Sequence, residues 1–478
     1  MFKHRGIAFG IAAAALGALA LPFSGHAAND DDLKELREQV RQLKDVYEKR
    51  IDALEKRLQQ AEQAVGSAKT AATNAEAVAS QAAVQASSRP AGENAFNPGI
   101  SLILNGTYGY LKNDPARYRV NGFAPTLGEV NPPNRGPSLG ESELVFSANI
   151  DHRFRGTLIA AIAPDDSIAI EEGYIQTLAL SNGFTVKAGR FFSGVGYQNE
   201  IHAHAWDFTD ASLASKVFLG NQLGEDGVQV KWVAPTDLYF DVGIEAGRGR
   251  KFPGGPDGGR SKNGFGSGTL FTHLGGDIGA STAWRVGLSH LRTSPQDRTY
   301  ADLDSAGASV TNGFTGQSRL WVADGILKWA PNGNATERSF KLQGEYFQRT
   351  ESGNLTYDTT AASFGRQTDT YASRQSGYYV QGVYQFMPQW RAGYRYDRLS
   401  AGTTSIGLVT SGALTAADFP ILNAYNPTRS TVMVDWSPSE FSRVRLQFAR
   451  DRSQFGAADN QVFLQYIMSL GAHGAHKF

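Results

Sequence analysis

The sequence contains no cysteine. That excludes disulfides, thiolate metal sites and a cysteine nucleophile. It carries no net charge either: 46 basic residues meet 46 acidic ones. Nothing global attracts a polyanion, so nucleic acid is not an expected partner. Beyond an N-terminal leader, no run approaches the roughly 18 apolar residues that a spanning helix needs. There is no G-x(4)-G-K and no H-E-x-x-H, and no helical period follows residue 100 to support a barrel hydrolase of alternating strands and helices. An enzyme is therefore not expected.

What is present is glycine, 53 residues of it, and 11% aromatics. The chain opens with Lys3, His4 and Arg5, then an apolar, alanine-rich run over 7–23, then Gly25 and Ala27 at the small positions of a cleavage site. Residues 1–28 read as a signal peptide. Apolar residues then fall at Leu33, Leu36, Val40, Leu43, Tyr47, Ile51, Leu54, Leu58, Ala61 and Val65. Spacings of three and four with one stutter predict a coiled coil over 29–65. Residues 66–98 form an Ala/Ser/Gln-rich extension and linker, broken at its end by proline and glycine.

From residue 99 the period becomes two. "VRLQF" sets Val444, Leu446 and Phe448 against Arg445 and Gln447; "LYFDVGIEA" puts Leu238, Phe240, Val242, Ile244 and Ala246 on one face. Such alternation predicts strands with one apolar and one polar face. About sixteen such segments follow one another to residue 471. Short connections such as "SNG", "APTD" and "MPQ" alternate with mostly long ones at 112–137, 192–224, 248–267, 294–316, 351–375 and 401–427. Tight turns at one end and long loops at the other suit an antiparallel transmembrane β-barrel over 99–478, an all-β fold in the lipid of a bacterial outer membrane. Closure leaves no strand edge in lipid. Trp232, Trp284, Trp329, Trp390 and Trp436 fall beside the short turns, where an aromatic girdle is expected. The last segment alternates Val462, Leu464, Tyr466, Met468 and Leu470, and the chain ends in Phe478.

The stretch "EEGYIQTLALSNGFTVKAGRFFSGVG", Glu171 to Gly196, resembles the strand–turn–strand of the phosphate-selective porin O/P family. The resemblance implies an N-terminal coiled coil ahead of a sixteen-stranded trimeric barrel, hence a homotrimer. It also implies that the third outward connection, 192–224, folds inward and narrows a channel. Phosphate selectivity does not carry over, because 192–224 holds one lysine, Lys216, and no arginine.

If the apolar faces look at lipid, the polar faces look into a lumen. Lys187, Lys231, Arg285, Lys341, Arg391, Arg395, Arg443 and Arg445 then line the pore, opposed by Asp241, Glu245, Glu345 and Asp397. A row of cations biases a pore toward anions; equally, these charges pair across strands and keep the wall wet. Within the third loop, "HAHAWDF" spaces His202 and His204 as two imidazole ligands for Zn²⁺ or another divalent metal, with Asp207 or Glu200 adding oxygen. The bland alternative is that they shape the constriction by hydrogen bonding. His473 and His476 form a separate pair at the C-terminus.

The expected function is a porin passing small hydrophilic solutes. Two rivals are a barrel-anchored tether, whose periplasmic coiled coil meets the cell wall, and an energy-coupled receptor. The latter normally needs a plug of over about a hundred residues, and the segment before the first strand leaves no room for one.

Overall fold

The computed structural model describes residues 98–471, except 126–129, 166 and 257–262, together with a scatter of residues between 38 and 59. The chain divides into two units, Met1–Ala95 and Phe96–Phe478. In the first, the described residues, among them Glu38, Arg41, Lys44 and Glu48, are helical and exposed. Lys44 and Glu48 stand 3.6 Å apart, one turn along the helix. Ile51, on the expected seam, is exposed in the single chain. The leader, the linker up to residue 97 and the seam residues Leu36, Val40 and Leu43 lie outside the described residues. No helix among the described residues is long and apolar enough to cross a membrane.

The second unit is one antiparallel sheet: β1 (Gly99–Leu111), β2 (Gly136–Leu139), β3 (Ser142–Asn149), β4 (Phe154–Ile162), β5 (Ile168–Thr177), β6 (Phe184–Phe192), β7 (Gly224–Val233), β8 (Tyr239–Gly247), β9 (Ser267–Ile278), β10 (Thr282–Thr293), β11 (Arg298–Leu303), β12 (Ser309–Trp329), β13 (Ser339–Tyr357), β14 (Gln367–Met387), β15 (Trp390–Ile406), β16 (Thr428–Ser439), β17 (Ser442–Arg452) and β18 (Asp459–Gly471). β1 pairs with β18 from Ser101↔Gly471 to Leu111↔Gln461, which closes the sheet. β2 and β3 both lie along β1 and act as one stave, interrupted at Gly140. A Cβ on Gly140 would come within 2.5 Å of the Asn105 side-chain amide, which would then have to shift. β11 only adds a hairpin arm to β12. The barrel therefore has 16 staves.

The short turns follow the turn chemistry of their residues. In "SNG", Asn182 and Gly183 both take positive φ, and a Cβ on Gly183 would sit 2.2 Å from the Val233 carbonyl oxygen. Trp232 donates to the Asn182 carbonyl across the same turn at 3.0 Å. Trp390 and Trp436 stack at 6.0 Å beside two other short turns, those joining β14 to β15 and β16 to β17.

Alternation is clean along the wall. On β17, Leu446 is 54% and Phe448 44% exposed, whereas Arg445 and Gln447 between and beside them are buried. Val432 and Val434, Leu464 and Tyr466 extend the same exposed apolar belt onto β16 and β18. A contiguous belt of this kind is not tolerated against water but suits lipid, where a charge at mid-depth would cost about 2–4 kcal/mol.

The staves β12 to β15 run 17–21 residues, well past the roughly ten that lipid requires. Their outer halves, such as "TESGNLTY", turn polar on the outward face and keep apolar residues such as Leu355 and Tyr357 inward, the reverse of the lipid-facing pattern, so period two alone does not reveal them. They instead support an apolar cap at the long-loop end, where Phe314, Leu355, Tyr357 and Tyr371 pack on Leu408, Phe419, Ile421 and Leu422.

Candidate functional site

The segment between β6 and β7 folds inside the barrel. Val195, Leu213, Val217, Phe218 and Leu223 are buried against the inner faces of β10, β12, β13, β14 and β15. Phe218 stacks on Phe347 at 5.7 Å and meets Phe123 edge-on. The short helix Leu213–Leu219 starts where the Ser212 hydroxyl accepts from the Ser215 amide, and it stops at Gly220, whose φ is 64°.

Wall carboxylates receive the backbone of the last residue of β6 and of the segment. Phe192 N–H donates to Glu172 at 3.0 Å, Gly194 N–H to Glu245 at 2.8 Å and Tyr197 N–H to Glu345 at 2.6 Å. Wall cations receive its carbonyls and acids. Arg445 donates to the Trp206 carbonyl at 2.8 Å, Arg395 to the Asp210 carbonyl at 2.8 Å, and Arg443 to the His204 carbonyl. Asp207 pairs with Lys341 and, at 3.3 Å, with Arg391. Asp210 meets Arg429 at 2.5 Å, Lys216 at 3.1 Å and Arg395 at 3.3 Å. Burial pushes both aspartates up, but the cations prevail: Lys341 and Arg391 hold Asp207, and Arg429, Lys216 and Arg395 hold Asp210, well below the usual carboxylate range.

The remaining expected lining residues sit toward the short-turn end. Lys187 is buried, 4.7 Å from the Tyr174 ring centre. Lys231 pairs with Asp241 at 2.8 Å. Arg285 lies over the Tyr197 ring, 4.8 Å from its centre, with Asp324 at 3.9 Å. A cavity of about 620 Å³ is lined by Lys187, Lys231, Arg285, Tyr197 and Tyr239. A second of about 530 Å³ is lined by Lys328, Lys341 and Arg391. Both touch Asp277 and Ala283. Deeper in, Arg349, Arg395, Arg429 and Arg445 are under 2% exposed. The segment covers the wall there.

His202 and His204 come together at the root of the segment, their rings 5.9 Å apart and nearly parallel. The oxygens around them are not those expected from the local sequence: Asp207 is turned to Lys341 and Arg391, and Glu200 lines the larger cavity. The acids come from the wall. His202 Nδ1 lies 3.2 Å from both Glu143 and Glu171, and Nε2 lies 3.1 Å from Glu172. His204 Nδ1 lies 2.8 Å from Glu143. Glu171 and Glu172 are neighbours in one strand and would ordinarily face opposite ways. Here Glu172 pairs with Ile159 and Ile170 with Ala160, leaving Glu171 as the extra residue of a bulge. The bulge brings both carboxylates to one side. Glu143, Glu171 and His202 form a group that could hold a metal ion, their ligand atoms within 4.8 Å of one another. Burial pushes the His202 imidazole down, but the carboxylates of Glu143, Glu171 and Glu172 around it outweigh this and hold its pKa well above the ordinary histidine value. His473 and His476 lie outside the described residues.

The sequence reading did not bring Glu143, Glu171 and Glu172 to the histidines. The doubled acid "EE" inside an otherwise alternating strand was the available sign of a bulge.

No family model matches the chain. A protein of Aquifex aeolicus (strain VF5), described as an uncharacterized protein, is 30% identical over 425 residues, 81% of this chain and 81% of the relative. Among solved structures, a loop L8 deletion mutant of OmpT, an outer membrane protein of Vibrio cholerae, has a TM-score of 0.47 at 11% identity, covering 78% of this chain and 99% of that one. OprB of Pseudomonas putida has a TM-score of 0.43 at 12% identity over 78% and 94%. An anion-selective porin from Comamonas acidovorans has a TM-score of 0.42 at 10% identity over 78% and 99%.

Proposed function

We infer that this chain, which belongs to one family with the Aquifex aeolicus protein, is a bacterial outer-membrane porin through which small hydrophilic solutes diffuse passively. One observation carries the reading: a closed barrel, apolar outside and charged inside, takes one inter-strand segment into its lumen and fastens it there. Such a segment sets the bore, and the charges beside it set the preference among ions. In this reading Lys187, Lys231, Arg285, Lys341, Arg391, Arg395, Arg443 and Arg445 are the charged lining. Lys187, Lys231, Arg285, Lys341 and Arg391 edge the two cavities at the short-turn end and favour anions there. Residues 1–28 direct export, and 29–65 pair as a periplasmic coiled coil in a homotrimer. Zn²⁺ or another divalent metal at His202, with His204 beside it, steadies the constriction. No covalent chemistry is assigned.

A second reading has its own support. Because Arg349, Arg395, Arg429 and Arg445 are almost wholly covered, the barrel also suits a closed anchor that tethers the N-terminal helix to the membrane. Reconstitution into planar bilayers separates the two: discrete conductance steps support the porin, and a silent, correctly folded barrel supports the anchor.

A further inference from the structure

We propose that Glu143, Glu171 and His202 form a site for one divalent metal of the zinc class, with Glu172 and His204 fixing the His202 ring and the Glu143 carboxylate. The site would clamp the inward segment to β3 and β5. The clamp's effect on conduction rests on the porin reading; the binding itself does not.

The donors come from three places in the chain. Glu143 stands on β3, Glu171 on the bulge of β5, and His202 on the segment. None of them is near another in sequence except through the fold. Zn–N and Zn–O bonds of about 2.0–2.2 Å at tetrahedral angles place neighbouring ligand atoms about 3.4 Å apart. The His202 Nδ1 distances of 3.2 Å to Glu143 Oε2 and to Glu171 Oε2 match two such edges within a few tenths. An ion can enter by small side-chain shifts, without moving a strand.

The chemistry agrees. One imidazole nitrogen with carboxylate oxygens suits borderline metals such as Zn²⁺, whereas Ca²⁺ and Mg²⁺ prefer oxygen alone. Glu143 is 1% exposed, and its Oε2, which faces His202 Nδ1 at 3.2 Å, makes no hydrogen bond of good geometry. A buried carboxylate oxygen left in that state is costly, and a cation offsets the cost. Supporting contacts are in place. His204 holds the other Glu143 oxygen at 2.8 Å. Glu172 holds His202 Nε2 at 3.1 Å while also accepting from the Phe192 amide. Partners of this kind orient metal ligands, and their loss typically weakens binding about 10–100-fold.

The test uses the full-length chain, folded in detergent and freed of metal by chelation. Zn²⁺ is titrated by calorimetry, and Co²⁺ is added separately to read coordination from its visible absorption. One Zn²⁺ per chain is expected, with tetrahedral Co²⁺ bands. Glu171→Gln, which keeps the shape of the side chain beside His202, should fold as the native chain does and lower the affinity about tenfold or more. His202→Ala should abolish binding, with heat-modifiable gel migration confirming a folded barrel. If the native chain takes up no Zn²⁺, or if Glu171→Gln and His202→Ala bind it as the native chain does, the site is refuted. Binding without any measurable conductance would leave the site standing and remove only the porin reading.

Discussion

Replacing Asp210 with Asn removes the charge that three buried cations share. Arg395 and Arg429 are fully covered, and Lys216 is nearly so. Breaking a buried ion pair from one side costs about 3–5 kcal/mol, because the remaining charge has lost its compensation. The lower end applies here: Arg395 keeps Asp397 at 3.2 Å, and Arg429 keeps Asp451 at 3.6 Å. At about 1.36 kcal/mol per tenfold, a loss of about 3 kcal/mol shifts the balance between fastened and released segment by roughly 150-fold. The wall strands do not depend on this contact, so the barrel should still form and migrate as a folded species. Single-channel recording in planar bilayers should then show a larger or flickering conductance relative to the native protein. A variant with native conductance and native noise would refute the assignment of Asp210 as the clasp of the segment.

Replacing Lys231, Arg285, Lys341 and Arg391, which edge the two cavities, with Gln should lower anion preference, read as a shifted reversal potential in a salt gradient; an unchanged potential means that Asp241, Asp324 and Asp207, which pair with them, already cancel them. Single cysteines at Leu446 and Phe448 should react with a lipid-soluble reagent and resist a water-soluble one, and the reverse pattern would mean a register slip of one residue. Changing Leu36, Val40 and Leu43 to Asp should lower the oligomer mass of the full chain in detergent, measured by sedimentation. In the long-loop cap, burial pushes Asp302 up to about 6, against the opposing Ile421 and Leu303 amides. A carboxyl raised in the folded state stabilises fully below its unfolded value of about 3.9 and loses that contribution as pH rises through about 6. Proteolysis of the 407–427 segment should therefore quicken across that window in the native protein and lose its pH dependence in Asp302→Asn.

The barrel was legible because lipid imposes one rule on every stave. Leu446 and Phe448 outward, Arg445 and Gln447 inward, is a pattern that period two states directly. The outer halves of β12 to β15 were not legible, because beyond the lipid the outward face turns polar and the apolar–polar contrast that marks a lipid-facing strand is lost. The inward segment was placed correctly in the chain as 192–224, but its partners could not be read. Which wall side chain meets Asp210 depends on how far a loop reaches across the lumen, and no local period encodes that. Glu171 is the sharpest case. Strict alternation turns it away from Glu172, and only the bulge opposite Ile159 and Ala160 reverses it.

Conductance of the purified full-length chain in a planar bilayer tests the central claim most directly. The account predicts discrete, reproducible steps from a heat-modifiable barrel, with step size changed by Asp210→Asn. A barrel that inserts and folds, yet leaves the bilayer silent for both the native chain and that variant, would contradict it.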